Sequence, residues 1–167
     1  MPLKSKKPMT AEMAMIRLET LCSRAEHCRY ELSEKLRQWL VPAAEAQKIL
    51  ESLESRKFFD DSRFAEIYAR HKALYGKWGK RKIAMGLRLK RISADNITAA
   101  LEAIDENQYR AAMIEALTAK ARTIKEGDTF EGRTKLYRFG ASRGYEPSLV
   151  AAALRAKILW PDSTSQL

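Results

Sequence analysis

Two cysteines in 167 residues, Cys22 and Cys28, are too few for a disulfide-built fold. Their separation by five residues fits neither a dithiol redox pair nor a zinc knuckle. Seven glycines and an aromatic content of 8% leave little material for an all-β fold, so helix is expected throughout. No run of apolar residues reaches the length needed to cross a bilayer. The start, Met1 to Pro8, is basic with no apolar stretch behind it, which reads as a tail rather than an export signal. A cytoplasmic chain with free thiols is the expectation. There is no Gly-x-Ser-x-Gly, no Walker loop and no dinucleotide fingerprint, and the only histidines are His27 and His71. No catalytic residue, metal site or cofactor is therefore expected.

The most informative absence is of acid. Between Ile67 and Ala94 there is no Asp or Glu, while Arg70, Lys72, Lys77, Lys80, Arg81, Lys82, Arg88, Lys90 and Arg91 all fall there. These nine account for most of the formal charge of +10, and the remainder of the chain reads as balanced, with 22 bases against 21 acids. A solvated helix face usually mixes both signs. A single-sign stretch suits a polyanion or an acidic protein surface.

What is present is helical periodicity. Helices are expected over about 10–23 (Thr10 capping, Met13, Ile16 and Leu21 inward), 28–40 (Leu32, Leu36 and Trp39 inward) and 43–56 (Ile49, Leu50 and Leu53 inward). Asp60 and Asp61 open a fourth, with Phe64, Ile67, Tyr68, His71, Leu74 and Tyr75 as its inner stripe and Gly76 as its stop. A fifth buries Ile83 and Leu87, with Met85 and Leu89 as a second apolar line packing on a neighbour. Ser93 caps a sixth through Ile104, a seventh spans about 109–124, and two shorter ones end near Lys157.

The apolar positions repeat. Leu32, Leu36 and Val41 match Ile83, Leu87 and Ile92, then Leu136, Gly140 and Tyr145, each set spaced four and then five. Ile49, Leu50 and Leu53 match Ile97, Ala100 and Leu101, then Val150, Ala153 and Leu154. The expected fold is all-α, with three tandem helix-turn-helix-like units of three helices forming an elongated, curved array. Its boundaries are 10–57, a basic 58–106 and 107–160, with flexible tails over 1–9 and 161–167.

These residues resemble the RecX family of bacterial regulators of the RecA recombinase, from about Leu18 to Leu154. The resemblance rests on Arg24-Ala25-Glu26-His27 with Glu31-Leu32 and Lys35-Leu36, and on Phe59-Asp60-Asp61-Ser62-Arg63-Phe64-Ala65. Gly79, Arg81, Ile83, Leu87 and Ile92 follow, then Lys135-Leu136, Phe139 and Arg143-Gly144-Tyr145. Two positions depart from it. Arg91 stands where the family usually has a glycine ending a helix left-handed. Gly140 stands where a bulky apolar residue is expected, which should thin the third core. The resemblance implies a protein that binds RecA filaments on single-stranded DNA and curbs or remodels their activity in recombination, repair and the SOS response, while the three repeats lead to the expectation of a monomer.

Particular residues carry open alternatives. Asp60 and Asp61 read as helix caps rather than a catalytic carboxylate pair. Cys22 and His71 read as core, not as ligands. Trp78, flanked by Lys77, Lys80 and Arg81, either stacks a base or folds over the junction of the first and second units. With the nine cations it completes the expected contact surface for nucleic acid or filament. The rival readings are a sequence-specific helix-turn-helix regulator and a helical-repeat adaptor for an acidic protein.

Overall fold

The computed structural model describes residues 6–160, and among these every regular element is an α-helix. The tails expected over 1–9 and 161–167 lie largely outside these residues. Met9, however, is held: its N–H donates to the Trp39 carbonyl at 2.9 Å. The helices fall in threes: α1 Ala11–Arg24, α2 Arg29–Gln38 and α3 Ala43–Ser55; α4 Asp61–Leu74, α5 Lys80–Leu89 and α6 Ala94–Glu102; α7 Glu106–Ala121, α8 Phe130–Ser142 and α9 Pro147–Arg155. Among the described residues no helix of unit 1 packs closely against a helix of unit 3, so the body is elongated.

The repeat pattern is the core pattern. Leu32, Leu36 and Val41, Ile83, Leu87 and Ile92, and Leu136, Gly140 and Tyr145 are all buried. In each unit the second helix ends the same way. The residue before the last of each triplet is left-handed, Leu40 at φ 58°, Arg91 at φ 55° and Gly144 at φ 88°. The next N–H then returns to the carbonyl five residues back, at 3.1 Å in all three units. Arg91 thus accepts the glycine-type geometry, and its guanidinium lies 4.8 Å from the Tyr30 ring centroid.

Two apolar clusters form, not three. Unit 1 has its own, from Ala14 and Leu18 through Leu53 and Phe59. Units 2 and 3 share one, running from Phe64 through Ile104 and Tyr109 to Leu159, and Cys28 and Tyr30 of unit 1 join it. Ion pairs join these apolar contacts between units 1 and 2. Arg63 pairs with Glu26 at 2.9 Å and Lys90 with Glu31 at 2.5 Å.

Both junctions use one device. Neither Cys28 nor Gly79, which precede α2 and α5, supplies a side-chain cap. Instead the first helix of the next unit supplies an acceptor: Asp61 Oδ1 receives the Arg29 N–H at 2.8 Å, and Tyr109 Oη receives the Lys80 N–H at 3.0 Å. Asp60 alone caps α4, through the Arg63 N–H. The reading of both aspartates as local caps is corrected to that extent. Helix α8 caps itself through Thr129.

Other expectations need correction. In α4 the inward residues are Phe64, Ala65, Ala69 and Ala73, while Ile67, His71 and Tyr75 are exposed and Tyr68 and Leu74 half-buried. His71 is therefore a surface residue, 5.4 Å from the Tyr75 ring centroid to centroid. In α1, Ala14 and Leu18 go inward and Met13 and Ile16 face solvent. Cys28 is the fully buried thiol and Cys22 only half so. Gly140 does not thin its core, because α9 closes on it: a Cβ there would sit 2.8 Å from Val150 Cγ2.

Candidate polyanion-binding face

Helix α5 opens with three consecutive cations, Lys80, Arg81 and Lys82, and no acid in its first turn. The N-terminal end of a helix is its positive end, so this choice weakens the isolated helix. Three of the four backbone donors there are used, and the fourth, Lys82 N–H, faces Gly144. Gly79 N–H goes to the Arg143 carbonyl at 2.7 Å, and Arg81 N–H to the Gly144 carbonyl at 3.1 Å. An anion at this end would therefore be met by side chains, not by free amides.

Helices α4 and α5 touch along two lines of residues spaced four apart, Phe64, Tyr68 and Lys72 against Lys90, Gly86 and Lys82. Lys90 Nζ lies 5.8 Å from the Phe64 centroid. The Tyr68 hydroxyl occupies the space a side chain at Gly86 would need. Lys72 and Lys82 place their ammonium groups 4.5 and 4.4 Å from the centroid of Trp78. Trp78 is half-buried against the shared core, so it folds back as one alternative held. It does so at the junction of units 2 and 3, not of units 1 and 2. Arg143 fixes its loop by donating to the Gly76 and Lys77 carbonyls at 2.5 and 3.2 Å.

Among the ten residues singled out in the sequence, the structure separates two groups. Lys77, Lys80 and Lys90 reach acids from outside the stretch, Glu115 at 2.6 Å, Glu106 at 3.0 Å and Glu31 at 2.5 Å. Arg91 lies over Tyr30, and Lys72 and Lys82 frame Trp78. Arg70, Arg81 and Arg88 are exposed and make no ion pair among the described residues. Arg81, Met85 and Arg88 share one helical face, with Leu89 beside them. Met85 and Leu89, expected to pack on a neighbour, are instead 61% and 74% exposed.

This face lies in the part of the chain, residues 60–101, that matches the family model "RecX, second three-helix domain". A regulatory protein RecX from Herminiimonas arsenicoxydans is 30% identical over 81% of this chain and 86% of its own length. The chain belongs to the RecX family. A second RecX relative, from Chlorobium phaeobacteroides, is 31% identical over 80% of this chain and 86% of its own. One from Mycobacteroides abscessus is 36% identical over 53% of this chain and 43% of its own. Two crystal structures share the fold. One described as regulatory protein RecX has a TM-score of 0.78, at 20% identity over 88% of this chain and 72% of that one. RecX from Lactobacillus salivarius has 0.73, at 17% identity over 87% and 95%. RecX proteins carry the name of regulators, so this chain is a regulatory protein of helical repeats. Among the described residues no helix is long and apolar enough to cross a membrane.

Sequence reasoning missed one basic region. The balance assumed outside Ile67–Ala94 hides acid-rich stretches set against a base-rich unit 3, where Lys120, Lys125, Lys135 and Arg138 line one cleft. Counting charge unit by unit would have found it.

Proposed function

We propose that this protein binds the RecA filament on single-stranded DNA through the outer face of α4 and α5 and curbs or remodels the filament without chemistry of its own. The observation that carries this is the cation triplet at the positive end of α5, together with exposed Arg70, Arg81 and Arg88, on a face without a carboxylate of its own stretch. Lys80 and Lys82 have partners within the protein, but Arg81, Arg70 and Arg88 have none among the described residues, and an anionic partner accounts for them. The exposed Met85 and Leu89 suit the protein component of a nucleoprotein filament better than bare phosphate. Sequence-specific readout fits less well. Ser93, at the start of the third helix of unit 2, already accepts the Asn96 N–H at 3.2 Å, and Asp95 beside it would repel phosphate.

The test is Arg81→Ala with Arg88→Ala. Each phosphate contact to a single strand contributes about 0.7 to the slope of log affinity against log salt, so losing two should flatten it by about 1.4. ATP hydrolysis by RecA on single-stranded DNA should be less inhibited, equally for every DNA sequence. A double variant that inhibits like the parent at all salt concentrations would reduce the face to a solvated surface.

A further inference from the structure

Unit 3 holds an open cleft of about 600 Å³ between the end of α7, the turn that follows it and the outer side of α8. Its rim carries Lys120, Lys125, Lys135 and Arg138 against a single acid, Glu126, which is engaged by Lys135. Its wall is one half-buried aromatic, Phe139, with the Lys120 ammonium 5.5 Å from the ring centroid. The hydroxyls beside it are turned inward. Thr123 Oγ1 donates to the Lys120 carbonyl and Ser142 Oγ to that of Phe139, at 2.8 and 2.7 Å. The strong donors left to a ligand are the cations.

We propose that this cleft is a second nucleic-acid site, taking a short run of single strand with a base against Phe139 and phosphates on Lys120, Lys125 and Arg138. An aromatic platform ringed by cations is the pairing that unstacked nucleotides use. An acidic amphipathic helix would need a row of apolar anchors one turn apart, and the cleft offers one ring beside a nearly buried Ile124. A free nucleotide carries the same chemistry, but a cleft this open holds a strand passing through better than it encloses a small ligand. The site lies on different helices from the α4–α5 face and does not depend on the reading of that face.

The test uses the whole protein, without RecA, and a fluorescein-labelled oligothymidylate followed by anisotropy. Lys120→Ala with Arg138→Ala removes one half-buried and one exposed cation, neither in an ion pair among the described residues. It should flatten the salt slope by about 1.4, so that the affinity ratio of parent to variant falls about sevenfold between 50 and 200 mM salt. The same change should appear on top of Arg81→Ala and Arg88→Ala. A strand carrying 5-bromouracil should photocrosslink within α8, and Phe139→Leu, which keeps the packing, should abolish that crosslink. An unchanged slope, or no crosslink in α8, overturns the proposal. So does displacement of the strand from this cleft by polyglutamate as readily as by oligonucleotide, or tighter binding of adenosine triphosphate than of the strand. If Arg81 and Arg88 prove silent while Lys120 and Arg138 do not, the α5 reading fails and this one stands.

Discussion

Gly79 is where units 2 and 3 meet backbone to backbone, and Gly79→Ala isolates that meeting. A Cβ at Gly79 would fall well under 3.0 Å from the Gly144 carbonyl and the Tyr145 nitrogen, with no flexible side chain to give way. The turn must therefore move, and three bonds move with it: Gly79 N–H to Arg143, Arg81 N–H to Gly144 and Lys80 N–H to Tyr109 Oη. Each is worth about 1 kcal/mol. Strain from overpacking adds about 1–3 kcal/mol. The expected loss is about 4–6 kcal/mol, a large share of what holds a domain together. Urea titration measures it. Gly127→Ala is the control, since Gly127 has φ 59° with nothing within 4 Å of its would-be Cβ; its cost should be about 1–2 kcal/mol from the left-handed backbone alone. Hydrogen exchange should show protection lost across α5 to α9 together, because they share one apolar cluster, and kept in α2 and α3. A Gly79→Ala protein within about 1 kcal/mol of the parent would refute the packing argument.

Further expectations follow from the same contacts. Asp61→Ala should cost about 1 kcal/mol in urea titration and raise exchange at Arg29, the first residue of α2, rather than within α4. Gly140→Leu, which would fill a thin core, should instead destabilise by about 1–3 kcal/mol in the same titration, because Val150 already occupies the space. Burial raises the Glu31 pKa, but its bonds to Lys90 and His27 outweigh this and hold it below the ordinary 4.5. A folded-state pKa below the unfolded one stabilises at pH above 4.5 and is lost as pH falls through the lower value. Glu31→Gln should thus weaken the protein at pH 7 and flatten its acid unfolding curve below 4.5, read by circular dichroism.

The second helices of units 1 and 2 were legible because their inward positions are large and aliphatic, spaced four and five, as Leu32, Leu36 and Val41 are. Helix α4 misled for the opposite reason. It packs through Ala65, Ala69 and Ala73, which carry little weight in a pattern of apolar bulk, while Ile67 and Tyr75 stay outside. The Asp61 bond spans 32 residues in sequence, so no local motif signals it, and Asp60 mimics the answer. The α5 cations could be read directly from the missing acids. Which of them are engaged could not, since Glu31, Glu106 and Glu115 come from outside the stretch. The unit 3 cleft exists only once α7 and α8 are folded together.

The handing of acceptors from each unit to the one before gives the array a direction. Helices α2 and α5 rely on Asp61 and Tyr109, which come later in the chain, whereas α8 relies on its own Thr129. Shortening from the front takes no acceptor from a remaining helix start, and a chain beginning near residue 58 keeps the starts of α5 and α8 capped. Shortening from the back strips Lys80 of its acceptor and opens the shared core at once.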